Sequence, residues 1–175
     1  MWSGTAASRV DLHPSGLPQS GAYGVQGGQQ VGMAIQTGGA THAALWSGTA
    51  ASYINLNPVG SQMSEAFGVW GGYQVGYAKF GNTRHAGIWN GTAASWVDLA
   101  AFLPPGFGNT EAFGIWSDGG NTYVVGYGNP IAGNPSIEAL MWQVPAPSGV
   151  GPFAAGALWT APGHGKAGPS AGDPQ

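Results

Sequence analysis

Two glutamates, Glu65 and Glu111, stand at matching places in a repeated sequence, 46 residues apart. Paired carboxylates roughly 5 to 10 Å apart carry out glycoside hydrolysis, so these residues define the one enzymatic hypothesis that the sequence offers. Glutamates at repeat-equivalent positions more often share a role at a turn or at a strand end. Sialidase-type propellers also need an arginine cluster to hold the sugar carboxylate, and this chain has only Arg9 and Arg84.

Two histidines, His42 and His85, also recur at one repeat position, which Glu138 occupies in the last copy. Imidazole is a common metal ligand, so one hypothesis gathers these side chains at one rim of the molecule. Equivalent positions on adjacent repeats, however, are not adjacent ligands. The structural interpretation is that each histidine holds its own repeat together by hydrogen bonds. We favour the structural interpretation and predict neither a metal nor another cofactor.

Aromatic residues supply a binding hypothesis. Trp70, Tyr73 and Trp116 are the candidate contacts, because Gln26 replaces Trp70 in the first copy and a core position should vary less. Sugar rings stack on Trp and Tyr faces, while Asn, Gln and Ser side chains bond hydroxyl groups. The predicted partner is therefore a carbohydrate or a protein. The alternative is that these rings only pack between sheets.

The composition excludes several classes of function. Only 6% of the 175 residues are charged, whereas ordinary globular domains have about 25%. The 4 Lys and Arg residues of the chain cannot form the cationic surface that nucleic acid requires. No apolar run approaches the roughly 20 residues that span a bilayer, and the first residues lack the order of a secretory signal. The absence of cysteine removes disulfides and thiol catalysis.

A repeat of about 44 residues organises the chain. The sequence WSGTAAS begins at Trp2 and again at Trp46, WNGTAAS begins at Trp89, and Trp142 is a fourth tryptophan in matching context. Because one such unit cannot bury its apolar surface alone, the copies are expected to stack on one another.

Each unit contains short runs that are rich in aromatic and β-branched residues and bounded by Gly, Pro, Asn or Ser, which is typical of strands and turns. No window shows helical periodicity. The predicted strands are at 10–12, 54–56 and 97–99; at 22–25, 66–69 and 112–115; at 30–32, 74–77 and 124–127; and at 42–46, 85–89 and 138–142.

Tight turns are predicted at Gly-Gly pairs, because glycine readily adopts the positive φ that short hairpins require. The pairs lie at 27–28, 71–72 and 119–120. Asp118 precedes the last pair in a sequence that resembles the second half of an Asp-box turn, and its carboxylate is expected to bond the backbone of its own turn.

These patterns predict an all-β fold, a β-propeller-like array of four-stranded antiparallel blades. In chain order the chain offers three strands, then two sets of four that open with the strands ending at Trp46 and Trp89, then one extra strand from Glu138 to Trp142. Natural propellers have typically 4 to 8 blades. The array is therefore expected either to belong to a longer repeat protein or to form a homo-oligomer. In the oligomer, the last strand of one chain would complete the first blade of another, giving a six-bladed ring.

The predicted repeat domain covers residues 1–144. A further strand is predicted within residues 145–159, where GALW echoes the opening strand of the repeat. Gly, Pro, Ala and Ser dominate residues 160–175, so a flexible tail is predicted there.

The ordered motifs resemble the HAF repeats of bacterial extracellular proteins. The copy that carries the resemblance best has HAGIW at 85–89, VDL at 97–99, TEAFGI at 110–115 and VVGY at 124–127. The chain departs from the family pattern where Ala44 and Gly87 replace its Phe and where Glu138 replaces its His. The resemblance implies a secreted or surface-exposed repeat domain that brings no active site.

The sequence thus predicts a non-enzymatic extracellular repeat module, acting as a structural scaffold or binding a ligand such as a glycan. The alternative is a glycoside-hydrolase-type propeller that uses Glu65 or Glu111.

Overall fold

The computed structural model describes residues 8–130 and 136–145, which form three antiparallel sheets. Single 3-10 turns lie at Ala50–Ser52, Ala93–Ser95 and Ala100–Phe102. None of these segments could cross a lipid bilayer. The prediction of an all-β fold with almost no helix is confirmed. The strands are β1 (Gln19–Gln26), β2 (Gln29–Ile35), β3 (Thr41–Trp46), β4 (Ile54–Asn55), β5 (Met63–Trp70), β6 (Tyr73–Phe80), β7 (Thr83–Trp89), β8 (Val97–Asp98), β9 (Phe107–Ser117), β10 (Asn121–Pro130) and β11 (Glu138–Pro145).

The strands are grouped differently from the prediction. Sheet 1 is β1-β2-β3-β4, sheet 2 is β5-β6-β7-β8, and sheet 3 is β9-β10-β11. The strand ending at Trp46 or Trp89 is therefore third in its sheet and does not open the next one. The reason is local: a 3-10 turn, in which the Tyr53 N–H bonds the Ala50 carbonyl, turns the chain back so that Ile54 pairs with Leu45. The chain then crosses to the next sheet after β4 and after β8.

With this grouping, the sheet that has only three strands among the described residues is the last one and not the first. Sheet 3 has three strands among the described residues, whereas sheet 1 is complete. Residues 10–12, predicted as a strand, are irregular and pair with no strand of the described chain. Residues 1–7, which hold most of the first WSGTAAS sequence, lie outside the described residues, as do the strand predicted beyond Pro145 and the tail over 160–175.

The predicted turns differ in kind. Gly27 and Gly28 have φ of 57° and 82°, and Gly71 and Gly72 have φ of 56° and 86°, so both pairs make the expected two-residue hairpins. The third turn is longer, and Gly119 alone of its pair has positive φ. Here Asp118 Oδ1 accepts the N–H groups of Gly120 and Asn121 at 2.8 and 2.7 Å, as predicted for this side chain.

Sheets 1 and 2 each bury one face against the next sheet. Glycine permits the close approach, because a Cβ at Gly24 would lie 2.7 Å from the Phe67 carbonyl oxygen, and one at Gly68 would lie 2.8 Å from that of Phe113. Apolar residues fill the space between sheets 1 and 2, namely Val31, Ala43, Leu45, Leu56, Ala66, Val69 and Trp89. The corresponding residues between sheets 2 and 3 are Val75, Ala86, Ile88, Leu99, Ala112, Val124 and Trp142.

Candidate functional site

The first strand of every sheet carries one extra residue at the same place. The pairing of β1 with β2 skips Tyr23, that of β5 with β6 skips Phe67, and that of β9 with β10 skips Phe113. Such a β-bulge bends the strand and re-aims the side chain of the extra residue, and bulges are over-represented beside functional sites. The repeat therefore places an aromatic ring at a bulge three times.

A glycine faces each bulge on the second strand. A Cβ added to Gly32, Gly76 or Gly126 would overlap the carbonyl oxygen of residue 21, 65 or 111. The bulge thus requires glycine at these positions. Together the bulge and the glycine explain why an A-aromatic-G-aliphatic motif and a V-G motif recur in every copy.

The three bulge residues and Tyr127 of β10 form a continuous stack of rings. The Tyr23 and Phe67 centroids are 5.7 Å apart, those of Phe67 and Phe113 are 5.0 Å apart, and those of Phe113 and Tyr127 are 5.7 Å apart, with interplanar angles of 25° to 30°. We call these four residues the aromatic row. Tyr23 is 48% exposed and Phe113 is 44% exposed, so the row offers ring surface to solvent.

Two carboxylates lie beside the aromatic row. Tyr77 donates its hydroxyl to Glu65 Oε1 at 2.8 Å, and Arg84 pairs with Glu111 Oε1 at 2.5 Å. The Arg84 guanidinium also lies 4.8 Å from the centre of the Tyr77 ring, a cation–π distance. These contacts link Glu65 to Glu111 through Tyr77 and Arg84.

The tyrosines of this region act as hydrogen-bond donors. Burial, followed by the hydrogen bond to Glu65, raises the pKa of Tyr77 far above its ordinary value. Burial and Glu65 likewise raise the pKa of Tyr23, and burial and Glu111 raise that of Tyr127. All three hydroxyls are therefore protonated at neutral pH, and Tyr77 is a donor and not a nucleophile.

The structure thus gives both glutamates of the hydrolase hypothesis a side-chain partner. Glu111 is buried and paired with Arg84, while Glu65 is half-buried and accepts the Tyr77 hydroxyl. Both carboxylates help to hold neighbouring strands in place, since Tyr77 lies on β6 and Arg84 on β7. This arrangement favours a structural or ligand-orienting role over acid–base chemistry.

The predicted ligand contacts lie on two hairpins. Trp70 and Tyr73 are partners across the Gly71–Gly72 turn of sheet 2, and Tyr73 packs against the core between sheets 2 and 3. Tyr73 therefore has the packing role that was the alternative. Trp116 is 51% exposed and stacks on Tyr123 with ring centres 5.9 Å apart.

The Trp116 hairpin borders an open groove of about 490 Å³ on the outer face of sheet 3, lined by Gly114, Ile115, Trp116, Tyr123, Val125 and Met141. This lining is almost entirely apolar. The groove offers ring surface but few of the polar groups that orient a small ligand.

The aromatic row was not among the predicted contacts. Its sequence signal is the aromatic residue before glycine at Tyr23, Phe67 and Phe113, which is constant in type from copy to copy. Trp70 was selected because its position varies between copies, so the same criterion passed over these constant residues. The bulge that turns these rings toward each other depends on pairing with the second strand, which no single strand reveals.

The histidines hold their own sheets together, as the structural interpretation predicts. The Asn55 amide of β4 donates to His42 Nδ1 of β3 at 2.8 Å, and His85 Nδ1 of β7 meets Asp98 Oδ2 of β8 at 2.7 Å. Burial is the main cause that lowers the pKa of His42 below its ordinary value. Within residues 8–130 and 136–145, no three His, Asp or Glu side chains are grouped closely enough to hold a metal ion.

No protein-family model, curated protein or solved structure matches the chain.

Proposed function

We propose that the chain is a non-catalytic, extracellular repeat scaffold of the β-propeller type that binds carbohydrate on the aromatic row. The three sheets would be consecutive blades, and their first strands would line the binding surface. The observation that carries the proposal is the unbroken stack of the bulge residues Tyr23, Phe67 and Phe113 with Tyr127.

Carbohydrate suits this surface better than other ligands do. Flat apolar rings stack on the C–H faces of a sugar, and carboxylate and tyrosine groups beside them bond its hydroxyls. Glu65 lies beside the row and accepts hydrogen bonds from Tyr77 and Tyr23, and a carboxylate has further acceptor sites for sugar hydroxyls. The low charge of the chain also fits a neutral ligand. An extracellular location follows the resemblance to HAF repeats and is part of the proposal.

The test is glycan binding by the full chain, screened on a glycan array and quantified by calorimetry. The Phe113→Ala variant should lose affinity at least about tenfold. An aromatic residue stacked on a nucleic-acid base contributes about 1 to 3 kcal/mol to binding, and we expect a similar contribution for a stacked sugar ring. The matched control for this variant is Trp116→Ala, which removes a similarly exposed ring from the groove of sheet 3 and should leave affinity unchanged.

The opposite result, loss of binding in Trp116→Ala with full binding in Phe113→Ala, would return the site to the hairpins that carry Trp70 and Trp116. A chain that binds no glycan contradicts the proposal altogether. Release of a chromogenic sugar that disappears in Glu65→Gln or Glu111→Gln would instead establish the hydrolase alternative.

A further inference from the structure

The two junctions between sheets are built on one plan. The third strand of sheet 1 and that of sheet 2 each pair with a short fourth strand, Leu45 opposite Ile54 and Ile88 opposite Val97. Two residues after Ile54 or Val97, a buried leucine continues the contact: the Leu56 N–H donates to the Ala43 carbonyl at 2.9 Å. Leu99 donates to the Ala86 carbonyl in the same way, at 2.8 Å.

The following sheet completes each junction with a hydroxyl group. Ala43 donates its N–H to Ser64 Oγ at 2.9 Å, and Ala86 donates its N–H to Thr110 Oγ1 at 2.8 Å. Both hydroxyls come from the first strand of the next sheet. The N–H and carbonyl groups of Ala43 and Ala86 at this edge are therefore both paired, one with the next sheet and the other with the segment of the fourth strand, as buried backbone requires.

The outer face of sheet 3 is one half of such a junction. Val125 is 47% exposed and Met141 is 42% exposed, whereas their counterparts Val75 and Ile88 are buried under the next sheet. β11 pairs with β10 along one edge, and its other edge has no strand among the described residues. A Cβ at Gly114 would meet only its own sheet, at Val125.

The face of sheet 1 that is opposite to sheet 2 is the other half of such a junction. Residues 10–12 are a third copy of the fourth-strand sequence, and Val10 is 62% exposed. Leu12 packs against Ala34, Ala44 and Trp46 of sheet 1, just as Leu99 packs against sheet 3. Residues 10–12 therefore pack on sheet 1 as residues 97–99 pack on sheet 3. No strand of the described chain pairs with them.

The hydroxyl of this half-junction is also in place. Ser20 is the counterpart of Ser64 and bonds His13 Nδ1 at 2.9 Å, as Ser64 donates to Asn57 at 2.6 Å while it accepts the Ala43 N–H. Ser20 Oγ thus keeps the acceptor capacity that Ser64 uses.

We propose that a second copy of this chain packs head to tail on the outer face of sheet 3, with residues 10–12 of one copy added to β11 of the other as its fourth strand. By the internal register, Val10 lies opposite Met141, the Leu12 N–H donates to the Ala139 carbonyl, and Ser20 Oγ accepts the Ala139 N–H. Two such junctions make a ring of six sheets, within the range of about 4 to 8 for natural propellers.

The sequence after Trp142 has no leucine at the position that this edge would use. Leu56, Leu99 and Leu12 each stand ten residues after the tryptophan of their copy, and the residue at that distance from Trp142 is Pro152. Proline has no N–H to donate to the Ala139 carbonyl and lacks the leucine side chain that fills the junction.

One position makes the new junction weaker than the internal ones. Glu138 stands where His42 and His85 stand, and Asp11 stands where Asn55 and Asp98 stand. Two carboxylates then face each other in place of a hydrogen-bonded pair, and like charges opposed across strands are destabilising. A Glu138→His substitution would recreate the pair seen between His85 and Asp98.

Disulfide trapping tests the proposal directly, because the chain has no cysteine and the two target side chains are exposed. Full-length Val10→Cys and Met141→Cys chains are mixed in a thiol–disulfide buffer. They should form a mixed disulfide at least about tenfold faster than the control pair, because association brings the thiols to a high effective concentration. The control pairs Met141→Cys with Val59→Cys, whose position is 96% exposed and far along the chain from residues 10–12.

Equal trapping rates for the two pairs would overturn the proposal, as would the absence of any mixed disulfide. The Glu138→His substitution, added to the Met141→Cys chain, should lower the concentration needed for half-maximal trapping about tenfold. An unchanged or higher concentration would overturn the proposed pairing of residues 10–12 with β11.

Discussion

The junction between sheets 2 and 3 and the outer face of sheet 3 use the same residue types at equivalent positions, yet their surroundings differ. Val75 and Ile88 are buried in the junction, while Val125 and Met141 are 47% and 42% exposed on the outer face. Gly68 lies against the Phe113 carbonyl, while Gly114 has no neighbour from another sheet. Each copy of the repeat therefore has an apolar face that becomes buried only when the next sheet packs on it.

Two contributions to stability can be separated here: hydrogen bonding within one sheet and burial of apolar side chains by the neighbouring sheet. Hydrogen bonds between strands, the bulge and the glycine opposite it are complete within each sheet. Coverage of the aliphatic face is not, since it depends on the neighbour. Substitutions at matched positions should therefore differ in effect according to which sheet carries them.

The largest difference is expected for the glycines that face the next sheet. Gly68→Ala should lower the free energy of unfolding by about 2 to 3 kcal/mol, because the added methyl group would lie 2.8 Å from the Phe113 carbonyl oxygen and the sheets must separate. Gly114→Ala should cost less than about 0.5 kcal/mol. Urea denaturation at low protein concentration measures both. Equal losses would mean that sheets 2 and 3 are not packed as described.

The aliphatic pair should show the next largest contrast. Val75→Ala removes two buried methyl groups and should cost about 2 kcal/mol from lost burial and the cavity left behind. Val125→Ala removes partly exposed methyl groups and should cost less than about 0.5 kcal/mol. The same denaturation experiment reports the difference, and a costly Val125→Ala in the monomeric chain would show that this face is covered.

The ion pair of the second junction should contribute less. Arg84→Met keeps the aliphatic stem but removes the cation that pairs with the buried Glu111 carboxylate. The free energy of unfolding should fall by about 1 to 2 kcal/mol. This loss is smaller than for a fully buried pair because the Arg84 side chain is 43% exposed. Adding Glu111→Gln should recover part of that loss, which a double-mutant cycle would measure. Lys79→Met, at the neighbouring cation, is the control with little expected effect. Additive single effects would argue against the pairing.

The smallest effect concerns His42, whose counterpart His85 has a carboxylate partner where His42 has an amide. Because burial lowers the pKa of His42 below 6.5, the unfolded chain binds its proton more readily than the folded chain. Stability from this residue is therefore present above pH 6.5 and falls as the pH drops below that value. The His42→Gln variant should lose this component of the pH dependence. An NMR titration with the His42 midpoint above 6.5 would contradict the assignment.

Much of the fold could be predicted from the repeat. The aliphatic and aromatic runs around β1, β2 and β3 recur between glycine turns, and local pattern alone locates such strands. The all-β class and the role of Asp118 in its own turn follow from the same local chemistry. Resemblance between copies also predicted that His42 and His85 act alike.

The grouping of strands could not be predicted in the same way, because it depends on pairing between segments. Whether the run at Ile54 turns back onto β3 or moves on is decided by the 3-10 turn at Ala50–Ser52. The aromatic row was missed for a related reason, since the bulge at Phe67 arises only when β5 pairs with β6. The contact of Arg84 with Glu111 joins residues 27 positions apart on different sheets.

Sedimentation equilibrium of the full chain over a wide concentration range tests most directly whether the exposed face of sheet 3 and the exposed face of sheet 1 are two halves of one junction. We expect the mass to rise from that of a single 17.6 kDa chain to that of two chains and then to level off. The Glu138→His variant should reach the plateau at lower concentration. A single-chain mass at every concentration for both proteins would contradict the account.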